Sequence, residues 1–460
     1  MEPPQIEKQL GIEVYATHSK GIGGIIRENP EDFVVEEILL NGLKAEATIS
    51  KTENNKTLGF TPKENGYLLC VLVKKNWDTF SAISQIAHQL NISPAQIQIA
   101  GIKDAKALTA QHITIRNISA EQIRRIHLKD IEIHAIGFVR NKLSAYYLLG
   151  NQFQILIKKV KLSRYALKKN ISATIGELSL IGGLPNFFGH QRFGTVRPIT
   201  HLVGKAIIKG DFHKATMVFL AQSSISEHAS SRRARDELLT TQNFEKALTD
   251  FPEQLRYEKS MIKYLVRHPD DFVNAFKTLP FKLQELFVQA YESYLFNKAL
   301  SARMAQTALM NVAQIGDYAV SVERSGLPSK SMFKVVTGEN LSEINSSIQL
   351  GKMRIALPLI GYKQSPSRGM QGEIEKRVLD EEGVSPKEFY VAKMPEVSSK
   401  GGLRVASTPI ESFCVNKVSE NSEVLHGNEA KVSFMLHRGS YATMLLREIM
   451  KPKDLIWEGF

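Results

Sequence analysis

A chain of 460 residues is too long for one ordinary core, so two or more domains are expected. The composition, 43% hydrophobic and 23% charged, is that of a globular protein, and a net charge of +12 attracts polyanions, nucleic acid first among them. Two cysteines, Cys70 and Cys414, with no Cys-x-x-Cys, leave no case for a disulfide scaffold or for structural zinc.

The opening Met1-Glu2-Pro3-Pro4 lacks the basic-then-apolar pattern of a signal peptide, and no apolar stretch approaches membrane-spanning length. The expectation is a soluble, cytoplasmic protein. Ile25 to Ile38 reads as two strands, or a strand and a turn, punctuated at Asn29-Pro30. Residues 41–66 are polar and read as a long loop. Tyr67 to Lys74 is an apolar strand with Cys70 as a core filler. Trp77-Asp78-Thr79 opens a helix whose apolar face is Ile83, Ile86, Ala87 and Leu90, and Asn91 suits its end. An apolar run, Ile97 to Ile102, leads into Lys103 and Asp104, with Gly101 free to admit a close neighbour. Further elements are a short helix from Gln122 to Leu128, strands from Ile131 to Val139 and Asn151 to Lys158, and a helix from Ala166 to Leu178.

A glycine- and proline-marked loop then carries aromatics and Arg192, and from about 195 to 390 the pattern is helical, with His201–Leu220, Phe281–Ala302 and Glu373–Glu381 as candidates. The cluster Arg232, Arg233, Arg235 reads as a solvated helix face or as an RNA selector. Strands return at Gly402–Ala406, Ser412–Val415 and Lys431–Leu436, and Ser440 is placed to cap a last helix, Tyr441 to Met450. The organisation is an α+β body interrupted by a mostly helical insertion.

Gly21-Ile22-Gly23-Gly24 is neither a P-loop nor a dinucleotide fingerprint, the twelve histidines form no metalloprotease pattern, and there is no Gly-x-Ser-x-Gly. Asp104, flanked by Lys103 and Lys106, is a candidate acid that nearby ammonium groups would keep ionised. On the local pattern alone, a turn aspartate between solvated lysines is the simpler reading. Arg27, Lys103, Lys106, Arg192 and Arg197 lie near predicted loop ends. Phe188 and Phe193 read as core, while Phe153 and Tyr441 suit either core packing or stacking on an unstacked base.

Five motifs carry a resemblance: Asn29-Pro30-Glu31-Asp32-Phe33-x-Val35-Glu36, Gly101-x-Lys103-Asp104-x-x-Ala107-x-Thr109-x-Gln111, Gly150-Asn151-x-Phe153, Asn186-Phe187-Phe188-Gly189-x-Gln191-Arg192-Phe193-Gly194, and Gly439-Ser440-Tyr441-Ala442-Thr443. In this order they resemble the TruD family of pseudouridine synthases, and the length resembles its archaeal and eukaryotic branch. The resemblance implies a catalytic domain on a mixed antiparallel sheet, residues 1–185 and 396–460, interrupted by a TRUD insertion, residues 186–395. It implies isomerisation of uridine in RNA, uridine 13 of tRNA above all, without cofactor or metal and with no obligate protein partner. Asp104 matches the catalytic aspartate. Phe153 matches the aromatic on the flipped uracil, and Asn151 a neighbour that positions the carboxylate. Tyr441 falls where an aromatic covers the other side, and Arg27 at a Lys or Arg position. Lys103 and Arg192 join them as expected substrate-binding residues. Tyr146 and Tyr147 stand where the family has small residues, and Phe187 where Tyr is commoner. A non-catalytic RNA-binding protein would keep the basic charge without the reaction. A methyltransferase would need a glycine-rich cofactor loop that is not present.

Overall fold

The computed structural model describes residues 2–48, 66–307, 309–419 and 427–460. Most of the polar loop expected at 41–66 lies outside them. A large sheet of eight strands forms the body. Its early strands are β1 (Phe33–Leu39), β2 (Tyr67–Lys75), β3 (Ile97–Ile99), β4 (Leu108–Arg116), β5 (Ile131–Val139) and β6 (Leu148–Val160). β7 (Leu184–Pro185) lies outside this sheet. A second, four-stranded antiparallel sheet holds β8 (Tyr318–Val322), β9 (Pro328–Val335), β10 (Met353–Leu359) and β11 (Gly402–Val405). β12 (Ser407–Thr408) pairs antiparallel with β7. β13 (Glu411–Ser419) and β14 (Asn428–His437) then complete the large sheet.

The order across the large sheet is β13-β14-β6-β1-β4-β2-β5, with β3 also on β4. Only the β1–β4 pairing is parallel among the described strands, so the sheet is mixed and the fold is α+β. β2 is buried along seven consecutive residues, as expected of an apolar run covered on both faces. β6 alternates in burial, and its inward side chains include Phe153, Ile155 and Ile157. Gly150 lets β6 and β14 close: a Cβ there would lie 2.2 Å from the Leu436 carbonyl oxygen.

Local chemistry explains most boundaries. The helix Thr79–Leu90 starts where the Asp78 carboxylate accepts from the Ser81 amide, 2.9 Å away, and stops at left-handed Asn91. The expected helix His201–Leu220 is two helices, Thr200–Ile208 and Phe212–Ala221, broken at Gly210 with φ +72° and restarted by Asp211. The last helix spans Ala442–Met450; Tyr441 sits at its N-cap and Ser440 does not cap it, because Ser440 lies one residue before the N-cap. Ile25 makes a single bridge to Lys158 rather than a strand.

One continuous core joins the face of the large sheet to the helices of the insertion, through residues such as Phe153, Leu167, Phe193, Phe287 and Leu445. A smaller core under the helix Thr79–Leu90 holds Cys70. Arg235 belongs to neither of the two roles expected for the basic cluster. It is 1% exposed and bonds Glu227 at 2.9 Å and Glu258 at 2.7 Å, because its helix face turns inward. Among the described residues no helix is long and apolar enough to cross a membrane.

Candidate active site

A cleft of about 440 Å³ opens where the ends of β1, β6 and β14 meet the loop between β3 and β4. That is a normal size for a small-molecule site. Asp104 lies on this loop, not at the end of a buried strand as expected, because β3 stops at Ile99. Its side chain is 29% exposed to the cleft.

The loop is pinned from behind. The buried Lys74 ammonium, on β2, donates to the Asp104 carbonyl at 2.8 Å and the Trp77 carbonyl at 2.7 Å. Burial pushes Lys74 down to about 8, with the Asp104 and Asp78 carboxylates pulling the other way. The Lys103 amide donates to Thr79 Oγ1 at 3.1 Å, and Gln111 Nε2 donates to the Gly101 carbonyl at 3.2 Å. Gly101 itself meets no close backbone; its nearest neighbour to a Cβ would be Leu148 Cδ2 at 3.5 Å.

In front, Gln191 Nε2 donates to Asp104 Oδ1 at 2.8 Å, and Arg27 Nη2 stands 3.5 Å from the same oxygen. Arg27 adopts φ +58°, a conformation rare for a residue with a side chain. Its guanidinium lies 4.0 Å over the Phe33 ring, and Nη1 donates to the Gly459 carbonyl. Burial lowers its pKa and Asp104 opposes that shift. The turn that launches β1 is held by the Asn29 amide on Asp32 Oδ2 at 2.8 Å, and Lys158 of β6 pairs with the same oxygen at 2.9 Å. The first motif therefore fixes the register that carries Arg27 and Phe33 to the cleft.

The flanking lysines do not serve as expected. Lys106 is exposed, and Lys103 turns away from the Asp104 carboxylate. The Lys103 ammonium bonds Glu37 Oε1 at 2.8 Å and Asn151 Oδ1 at 2.8 Å beneath the cleft. Glu37, fully buried on β1, also accepts from the His112 amide at 2.8 Å. Burial raises the Glu37 pKa, but His112 and Lys103 outweigh it and hold the carboxyl below its ordinary value. Asn151 thus meets the Asp104 loop through Lys103.

Phe153 stacks on Phe434 at 5.3 Å and meets the edge of Phe33 at 6.3 Å, forming an aromatic wall that is both core and cleft lining. Tyr441 lines the cleft with Arg438, Gly439 and Ser440. Gly189 makes room for it: a Cβ there would lie 2.8 Å from Tyr441 Cδ1. Arg192 does not line the cleft. It bonds Ser293 Oγ at 3.2 Å and Gln289 Oε1 at 3.1 Å on the long helix Phe281–Gln306. Gln191, Glu37, Lys74 and Arg438 were not singled out from sequence. Gln191 and the edge of the first motif were the available signals, since both lie inside or beside the motif residues.

The arrangement offers a partly exposed carboxylate with one amide donor and one guanidinium on the same oxygen, facing an aromatic wall. A planar ring fits such a cleft, with the carboxylate poised for attack or proton transfer.

Comparison with known proteins agrees with the motifs. The family model of tRNA pseudouridine synthase D (TruD) matches residues 9–449. A Methanosarcina mazei protein named "Probable tRNA pseudouridine synthase D" is 37% identical over 457 residues, covering 99% of both chains. A Thermococcus sibiricus protein of the same name is 34% identical over 442 residues, covering 95% of this chain and 97% of its own. The crystal structure of a TruD protein from Methanosarcina mazei superposes with a TM-score of 0.81 at 37% identity, covering 98% of this chain and 99% of that one. With its mixed sheet, its insertion and a match across nearly its whole length, the chain belongs to the tRNA pseudouridine synthase D (TruD) family.

Proposed function

We propose that this protein is a tRNA pseudouridine synthase, an isomerase of the cytoplasm that converts uridine 13 of tRNA to pseudouridine with Asp104 as its catalytic carboxylate. The observation that carries the reading is the shared hold of Gln191 and Arg27 on one oxygen of Asp104; among the described residues no side chain bonds the other oxygen. The target uridine leaves its stack to enter, and unstacking costs a few kcal/mol. Contact with the Phe33–Phe153 wall and Tyr441, worth about 1–3 kcal/mol per stacked base, offsets that cost. Asp104 then acts as nucleophile, or as the base that takes a sugar proton, while the bond from N1 to the ribose breaks. The uracil turns and rejoins through C5; C5 loses its hydrogen and N1 gains one, so no atoms are lost overall.

The division of the chain is part of the proposal. Pairing of β7 with β12 supports an insertion that leaves the catalytic body after residue 185. Pairing of β11 with β10 supports a return near residue 406 rather than 396, since Gly402–Val405 completes the insertion's sheet.

The test is release of the C5 hydrogen from labelled uridine in tRNA. Wild type is expected to release it, and Asp104→Asn is expected to release none while binding tRNA and melting as wild type does. Turnover by Asp104→Asn at the wild-type rate overturns the assignment. Mapping pseudouridine in tRNA from cells with and without the gene identifies the position.

A further inference from the structure

We propose that Arg404, which stands on the insertion's own sheet, is a positioning residue that holds the Gly439–Tyr441 turn over the cleft. Resting on the functional reading above, this makes the active-site wall depend on how the insertion is seated.

Arg404 projects from β11 and joins three separate parts of the chain. Its Nε donates to the Asn186 carbonyl at 3.0 Å, and its Nη2 to Asn186 Oδ1 at 2.8 Å and to the Gly439 carbonyl at 2.8 Å. Its Cζ lies 3.9 Å over the Phe188 ring and 5.6 Å from the Phe296 ring of the long helix. Phe188 in turn meets the edge of Tyr441 at 6.4 Å. One planar fork therefore fixes the residue where the insertion begins, the ring that backs Tyr441, and the carbonyl two residues before Tyr441.

None of these hydrogen-bond acceptors is a carboxylate. A guanidinium spent on neutral acceptors gains geometry rather than ion pairing. Burial lowers its pKa to about 10, so it stays charged at neutral pH. Gly439 has φ +83°, so the turn requires a left-handed residue whose carbonyl is then presented to Arg404.

A second contact from the insertion reaches the other end of the same segment. Gly326, in the turn between β8 and β9, lies against His437: a Cβ there would be 3.2 Å from the imidazole Cε1. The residues from His437 to Tyr441, four of which line the cleft, are thus touched by the insertion at both ends. Lysine in place of Arg404 keeps the charge but cannot span Asn186 and Gly439 from one plane.

The experiment compares wild type, Arg404→Lys and Arg404→Ala as full chains, with tRNA turnover measured against salt concentration and amide exchange measured over residues 439–443. Positioning predicts about a hundredfold loss of kcat in both variants, the scale of a small misplacement, with KM and its salt dependence unchanged. It predicts faster exchange across that turn, and recovery of kcat in Arg404→Ala on adding guanidinium. If Arg404→Ala does not fold, Arg404→Lys with its exchange readout decides. Wild-type kcat in Arg404→Lys overturns the proposal. So does a raised KM with a shallower salt dependence at unchanged kcat, since that pattern marks a phosphate contact. Wild type without C5-hydrogen release instead fails the functional reading on which the proposal rests.

Discussion

Gln191 donates to the Oδ1 oxygen of Asp104 across 2.8 Å, joining two residues that lie 87 positions apart in the chain. The donor comes from the segment that follows β7, and the acceptor from the loop between β3 and β4. The carboxylate is therefore held by two segments distant in the chain.

Removing that donor is expected to cost activity without unfolding the protein, because Gln191 is exposed. A hydrogen bond to a charged group is worth about 1.5–3 kcal/mol, so Gln191→Ala should lower kcat about tenfold to a hundredfold. Gln191→Glu should do more damage, since two adjacent carboxylates share a proton and raise one pKa. The check is turnover of the two variants beside wild type at one pH: Gln191→Glu should fall below Gln191→Ala, and both should melt as wild type does.

The Lys103–Glu37 pair under the cleft is buried on both sides, at 4% and 0% side-chain exposure. Breaking such a pair from one side leaves an uncompensated charge and costs about 3–5 kcal/mol. Glu37→Gln and Lys103→Met should each show that loss in urea unfolding, and the double variant should lose less than their sum. Additive losses would show that the two residues act separately.

Gly189→Ala tests the room made for Tyr441. The added methyl meets the Tyr441 ring at 2.8 Å, and the position has an ordinary backbone angle, φ −76°. The ring must therefore move rather than the backbone. Turnover is expected to fall while the melting temperature changes little. Pairing it with Tyr441→Leu should remove most of the additional effect of the methyl group, as a double-mutant cycle on kcat would read out.

His201 supplies a pH dependence of stability. It is buried between Phe193 and Tyr294, with ring centroids 5.4 Å and 5.0 Å away. Burial lowers its pKa to about 4, with Glu382 opposing. The unfolded chain binds the proton near 6.5, so between these values the unfolded state holds more protons than the folded one. The stability from neutral His201 is complete above about 6.5 and is lost as pH falls toward 4, by roughly 3 kcal/mol. Urea unfolding of wild type and His201→Gln at neutral pH and near pH 4 should show wild type losing that much more than the variant.

Much of the scaffold was legible in the residues alone. β5 runs from Ile131 to Val139 as its alternation requires, and Asp78 and Asn91 bound their helix because capping chemistry is local. The sequence also brought out Asp104, through the company of its motifs rather than through its own neighbours. Which side chains face one another was settled by the packing of the chain. Lys103, one residue from Asp104, turns to Glu37, while Arg27 and Gln191, distant in the chain, share the Asp104 carboxylate. Arg192 is spent on the long helix, and Arg235, read as part of a basic surface, is buried between two glutamates. Periodicity states which face of an element is covered. It does not state which side chain lies opposite, because that depends on strand order, on the angle at which loops cross the sheet, and on whether a buried charge finds its partner.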